Sequence, residues 1–205
     1  GRRMSAPKTL YDKIVDEHCI LSFDGSGAAG ERLLLYIDRT VLNEYTSPQA
    51  FSGLRAAART PWRPAASLGV VDHVNSTNPD REAGELDDGA RRQIEYLAEN
   101  GRDFGIEIFD LFDPRQGIEH VVMPELGLVL PGMVIAAGDS HSTTYGAFGV
   151  VGFGIGTSDI EHLLATQTLV YRRLRTMRIT IDGTLAPGVT AKGLIMEVIR
   201  RIRGR

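Results

Sequence analysis

Met133-Val134-Ile135-Ala136-Ala137 runs without a break into Gly138-Asp139-Ser140-His141. A short, wholly apolar run bounded by turn residues suits a strand covered on both faces, the situation of a parallel sheet with helices on either side. A second segment has the same form: Leu68–Val71 is apolar and ends in Asp72-His73, followed by the polar loop Asn75-Ser-Thr-Asn-Pro-Asp. In open α/β sheets the ligand crevice lies outside the carboxyl ends of the strands. Both Asp–His stretches fall at that kind of position, and the repetition is more informative than either alone.

The rest of the chain fits around these two strands. Thr9 followed by Asp12 resembles a capping box that opens a helix over Leu10–His18, with Leu10, Ile14 and Val15 facing inward. The glycine-rich loop Asp24–Gly30 leads to a buried strand at Leu33–Ile37. Ser47-Pro48 is a helix start, because proline at the first helical position loses no needed hydrogen bond, and it puts Gln49 in the first turn. Downstream the pattern predicts a helix over Asp87–Phe104 and a strand over Ile106–Phe109. It then gives an extended stretch over Ile118–Met123 containing His120, and a helix over Asp159–Arg172 opened by Ser158 and Glu161. A strand over Met177–Ile181 and a helix over Ala191–Ile202 complete the chain. The alternation argues for an α/β fold, a mostly parallel sheet flanked by helices.

Composition removes several function classes. At 205 residues, with 42% hydrophobic and 24% charged residues, the chain has ordinary globular proportions and none of the bias of disorder. A net charge of −3 offers no field for a phosphate backbone. Leu128–Ala137, the longest apolar stretch, is broken by Pro131 and falls short of the roughly 20 residues of a membrane span. The single cysteine, Cys19, forms no internal disulfide and no multi-thiolate metal site, so the cytoplasm is the expected compartment. Gly1-Arg2-Arg3 ahead of Met4 is too short and polar for a signal peptide; residues 1–8 read as a tag or disordered lead, and 9–205 as the domain.

An aspartate beside a histidine stabilises the imidazolium and fixes which ring nitrogen faces a ligand. Of five histidines, His73, His120 and His141 fall at or beside strand ends rich in Gly, Ser, Thr and Asp. Taken singly each reads as a capped turn or a satisfied surface group; jointly they read as a site. His18 and His162 lie on predicted helices and read as structural. Gly138-Asp-Ser also opens the nucleophile motif of a lipase and esterase superfamily, with Ser140 as nucleophile. That mechanism needs a base near the C-terminus, and no histidine follows His162. Gly152-Phe-Gly-Ile-Gly-Thr-Ser matches neither dinucleotide nor P-loop spacing and reads as closely packed backbone in a glycine-rich turn.

Several long stretches resemble the aconitase superfamily and, within it, the large subunits of bacterial 3-isopropylmalate dehydratases. They are Thr9-Leu-Tyr-Asp-Lys-Ile-Val, Leu35-Tyr-Ile-Asp-Arg, Thr46-Ser-Pro-Gln-Ala-Phe-Ser-Gly-Leu-Arg, Val71-Asp-His, Gln116-Gly-Ile-Glu-His and Leu130-Pro-Gly-Met. The longest runs from Gly138-Asp-Ser-His through Phe153-Gly-Ile-Gly-Thr-Ser-Asp-Ile-Glu-His to Ala165-Thr-Gln-Thr-Leu. The resemblance implies a hydro-lyase that isomerises 2- and 3-isopropylmalate by dehydration and rehydration, in leucine biosynthesis. It implies Asp72 with His73 and Asp139 with His120 as catalytic pairs, and His141 paired with an acid from absent sequence. Gln49 and Ser140 would bind substrate. A [4Fe-4S] cluster is the implied cofactor, held by three cysteines that lie downstream of the matched region, so no metal is expected on this chain. It would be the N-terminal part of a longer enzyme, inactive alone. A small subunit carrying a swivelling domain is the implied partner. Pro124-Glu-Leu-Gly and Asp139-Ser-His-Ser-Thr-Thr-Tyr depart from the subfamily's Pro-Glu-Gln-Gly and Asp-Ser-His-Thr-Ala-Thr-His. The alternative within the family is therefore a homoaconitate, citraconate or methylmalate type of dehydratase.

Overall fold

The computed structural model describes residues 7–78 and 86–202; most of the expected N-terminal tag, residues 1–6, lies outside the described residues. In chain order the elements begin α1 (Leu10–His18), β1 (Cys19–Ser22), β2 (Arg32–Tyr36), β3 (Arg39–Asn43), α2 (Pro48–Ala56), β4 (Ser67–Val70) and α3 (Asp88–Phe104). They continue with β5 (Glu107–Phe109), α4 (Glu119–Glu125), β6 (Val134–Ala137), a 3-10 segment Ser142–Phe148, β7 (Val151–Gly154), α5 (Thr157–Thr166), β8 (Thr168–Arg172) and α6 (Ala191–Ile202).

The expected parallel sheet is present. Five strands lie in the order β5-β4-β3-β6-β7, every pairing parallel. Successive residues of β3 point to opposite faces. Val41 joins Val70, Phe109, Ile135 and Ala137 beneath Val122 and Met123 of α4, and Leu42 joins Phe51 and Leu54 of α2, Leu97 of α3 and Ile160 of α5. Helical segments cover both faces, which is why β4, β3 and β6 are buried almost throughout rather than on alternate residues. The chain lays down β3, β4 and β5 in one direction and then returns to place β6 and β7 on the other side of β3. The order reverses between β3 and β6, and such a reversal opens a crevice at the strands' carboxyl ends.

A second sheet was not foreseen. β1, β2 and β8 form an antiparallel three-stranded layer in which Leu33, Leu35 and Leu169 pack with Ile14 and Val15 of α1 and with Val134 and Ala136 of β6. Arg173, 7% exposed, ends the layer by pairing with Asp12 and Asp16 of α1 and with Glu31.

Five local expectations are corrected. Leu10 is exposed, so the inner stripe of α1 begins with Ile14. Ile118–Met123 is mostly helix, because the Glu119 N–H that opens α4 is held by the Asp72 carboxylate at 2.7 Å, a cap supplied from another strand end. Helix α5 starts on Gly156, not Ser158, and stops at Thr166. It stops there because Gln167 adopts a left-handed conformation (φ 58°) secured by its own side chain on the Ile37 carbonyl, after which Thr168–Arg172 is strand. Gly152 and Gly154 belong to β7, not to a turn. Met177–Ile181 pairs with no strand among the described residues.

The chain divides into two compact units, Gly1–Arg173 and Leu174–Arg205. In the second, an irregular segment leads to α6, which buries none of its residues.

Candidate active site

The carboxyl ends of the three middle strands, β4, β3 and β6, each deliver acidic or basic side chains. Behind β3, Asn43 is fully buried, and its Oδ1 accepts from the Tyr45 N–H (3.1 Å), the Thr46 N–H (2.9 Å) and the Thr46 hydroxyl (2.9 Å). The next residue, Glu44, is also fully buried. Its Oε1 accepts the N–H groups of His73 and Val74, both at 2.7 Å, and its Oε2 accepts that of Asp72 at 3.2 Å. A buried carboxylate is costly unless hydrogen bonds replace its water. Here they come from the loop that carries Asp72-His73, so β3 fixes the site residues of β4. Two glycines allow the β6 turn to approach as closely as it does. A Cβ on Gly138 would lie 2.2 Å from Thr46 Oγ1, and one on Gly154 would lie 2.5 Å from the Asp139 carbonyl oxygen.

Asp139 is the hub of the cluster. Its Oδ1 accepts from His120 Nε2 at 2.5 Å and from the His141 backbone N–H at 2.6 Å, while Oδ2 faces His73 Nε2 at 3.2 Å. His73 Nδ1 meets Asp72 Oδ1 at 2.6 Å, and the other oxygen of Asp72 caps α4. Asp72, His73, Asp139 and His120 thus form one continuous chain of hydrogen bonds, two aspartates alternating with two imidazoles. Both ring nitrogens of His73 face carboxylates, which accept and cannot donate, so both carry protons.

The electrostatics follow. The hydrogen bond to Asp72 raises His73 to about 9, against the opposing effect of its burial. Burial would raise Asp139, but the bonds from His120, the His141 backbone and His73 outweigh it and hold the carboxyl at about 2. At neutral pH the site therefore presents an imidazolium at His73 beside an ionised Asp139.

Of the expected residues, Asp72, His73, His120, Asp139 and His141 come together. His141 Nδ1 is 3.4 Å from Asp139 Oδ1, with the side chain 78% exposed. Ser140 Oγ lies 3.2 Å from that same Nδ1. A serine nucleophile needs a base that meets serine with one ring nitrogen and aspartate with the other, and here one nitrogen faces both, so geometry argues against the esterase reading. Gln49 is exposed in the first turn of α2, and no hydrogen bond joins it to the cluster among the described residues. His18 is structural, its ring bonded to the Ile14 carbonyl (2.8 Å) and to Asp38 (2.7 Å). Three site residues were missed. Glu44 and Glu119 are fully buried acids, and Tyr145 sets its ring edge-on to His120 at 5.3 Å. The sequence signal for Glu44 was its place just past an apolar pair, Val41-Leu42, with Asn43 between.

Two triads bring three donors within 4.8 Å of one another, Glu44-Asp72-His73 and Glu119-His120-Asp139. In the first, Glu44 is fully engaged with backbone N–H groups. In the second, the 2.5 Å between His120 and Asp139 is shorter than the roughly 3 Å that two ligands of one ion keep between them. Both behave as hydrogen-bonded networks, and neither contains the thiolates an iron–sulfur cluster needs.

Residues 12–205 match the model of the Aconitase family (aconitate hydratase). The chain is 61% identical over 195 residues to 3-isopropylmalate dehydratase large subunit 1 of Mannheimia succiniciproducens, covering 95% of this chain and 40% of that protein. It is 59% identical over 199 residues to large subunit 2 of Salmonella typhimurium, covering 97% of this chain and 41% of that relative. The chain thus spans about 40% of the length of the curated relatives it matches. With the strand-end Asp–His network and a family match over nearly its whole length, this chain belongs to the aconitase family.

Proposed function

We propose that this chain forms the acid–base wall of a 3-isopropylmalate dehydratase, as part of the large subunit that isomerises 2- and 3-isopropylmalate by removing and restoring water. The observation that carries the reading is the Asp72–His73–Asp139–His120 chain of hydrogen bonds at the carboxyl ends of β4 and β6. Hydroxide is a poor leaving group and needs a proton or a Lewis acid. His73, protonated at neutral pH and anchored at both nitrogens, supplies positive charge for a substrate carboxylate. Asp139 holds His120 in one orientation, with Nε2 carrying the proton. His141, exposed and tethered only through its backbone and Nδ1, would contact the bound acid, as would Ser140 and Gln49.

In the family a [4Fe-4S] cluster supplies the Lewis acid. The residues present here do not fit that group. The sole cysteine, Cys19, sits on β1 opposite Leu35 of the antiparallel sheet, and the site donors are carboxylates and imidazoles. The cluster ligands then belong to sequence beyond these 205 residues, as does the acid–base partner on a small subunit, which the relatives' designation as large subunits supports. Anaerobic reconstitution of the 205-residue chain with iron and sulfide should leave it colourless; stoichiometric iron and sulfide retained by the monomer would reverse this assignment.

The decisive test is turnover by the full-length protein with its small subunit against a panel of malate derivatives. Isopropylmalate as the best substrate supports the reading; faster turnover of homoaconitate, citraconate or a methylmalate transfers the site to a paralogous dehydratase.

A further inference from the structure

One carboxyl group in the site has no hydrogen-bond partner. Glu119 is fully buried, and neither of its carboxyl oxygens accepts or donates a hydrogen bond among the described residues. We propose that Glu119 is a positioning residue of this site, a neutral carboxylic acid sealed behind His120 that keeps the Asp72–His73–Asp139–His120 network free of a third negative charge.

The groups facing Glu119 come from every element packed around it. From the loop after β4, Asp72 repels a negative charge while His73 attracts one, and from the turn after β6, Asp139 repels. On α4 itself, His120 Nε2 is 3.7 Å away, but its proton is committed to Asp139 at 2.5 Å. From β3, Asn43 has its oxygen saturated by the Tyr45–Thr46 turn, so its amide nitrogen is the end left to favour an anion, without completing a hydrogen bond. From the 3-10 segment, the buried Tyr145 hydroxyl donates to the Glu119 backbone carbonyl at 3.5 Å and is not spent on the carboxyl group. Two aspartates are already matched by the imidazoles they bind. An ionised Glu119 would be an unpaired charge in a dry interior, and such a group takes up a proton instead. Burial, followed by the repulsion of Asp72 and Asp139, moves Glu119 up to about 8.

The neutral form has a geometric consequence. An ionised Glu119 would compete with Asp139 for the Nε2 proton of His120 from 3.7 Å. The neutral acid leaves that proton to Asp139, and the imidazole keeps one orientation. Protonation is independent of the reaction catalysed; only the role in turnover rests on the dehydratase reading.

The test is a carboxyl-carbon NMR titration of the 205-residue chain labelled with glutamate at the side-chain carboxyl carbon. One resonance should titrate near pH 8 and be missing from the Glu119→Gln variant, the isostere of the neutral acid. If every glutamate titrates below about pH 6, the proposal fails. Thermal melts give a second arm. Because the folded value exceeds the unfolded one, near 4.5, the stability from this group is fully present below pH 4.5 and is lost as pH rises towards 8. The melting temperature of the parent should therefore fall relative to Glu119→Gln across that window and run parallel above it; a variant far less stable than the parent at pH 6 would mean that a charged carboxylate had been doing the holding. In the full-length enzyme Glu119→Gln should shift the alkaline limb of kcat/KM, and an unmoved limb would remove the role in turnover while leaving both the titration result and the substrate assignment intact.

Discussion

Asp139 shows how much one side chain can organise when its partners arrive from three directions. Replacing it with asparagine keeps the shape and removes the anion shared by His73 and His120. The value of His73 should then fall part of the way from about 9, since Asp72 contributes the larger share, and a histidine NMR titration reads this directly. In the complete enzyme, loss of an orienting aspartate should cut turnover on the order of 10⁴-fold, with little change in fold. The pH dependence of stability has opposite signs at the two partners. Asp139 is lowered to about 2, so its contribution is present above the unfolded value near 3.8 and is lost as pH falls through 2. His73 is raised, so its contribution is complete below 6.5 and is lost as pH rises through 9. The melting temperature should therefore decline between pH 7 and 9.5, and part of that decline should be absent in His73→Gln. Asp72, His73 and Asp139 were legible because they follow apolar strands in the sequence. Glu44 and Glu119 were not, since what surrounds them comes from other parts of the chain, the Asp72–Val74 loop for Glu44 and Asp72, Asp139 and Tyr145 for Glu119.

At the level of elements, close approach of backbone decides where the site turn sits. Gly154→Ala would put a methyl group 2.5 Å from the Asp139 carbonyl oxygen, an immobile neighbour. Overpacking of this kind costs about 1–3 kcal/mol, and it should displace the chemical shifts of His73 and His120 as well as lower stability. If the shifts stay in place while stability drops, β7 is not what sets the position of Asp139. The strands β4 and β6 announced themselves as unbroken apolar runs. Their central neighbour β3 did not, because Arg39-Thr-Val-Leu-Asn43 carries only two apolar residues and buries Thr40 and Asn43 as well. Helix α4 was hidden for a different reason: its first N–H is capped by Asp72, a partner the local sequence does not contain. The α5–β8 junction depends on a left-handed glutamine rather than a glycine, so the usual stop signal is missing.

On the scale of the whole molecule, protection from solvent should divide along the two units. β3, β4 and β6 bury nearly every residue, whereas α6 buries none. Amide hydrogen exchange in the sheet should require global unfolding, while α6 exchanges through local opening, orders of magnitude faster. Equal protection in both would mean that α6 is covered in solution. No described helix is long and apolar enough to cross a membrane. The fold class was legible from the alternation of elements; the antiparallel layer was not, because β8 pairs with β2 across more than a hundred residues of sequence, as in Arg32 with Arg172. The reversal of strand order between β3 and β6 leaves Glu44 and Asp139 just past the ends of adjacent strands whose chains depart to different helical segments. Loops on either side can therefore lengthen, shorten or change composition while the strands beneath stay as inherited. Laboratory selection for a new acid should accordingly gather its substitutions after Asn43, after Val70 and after Phe109, and leave the strand interiors almost untouched.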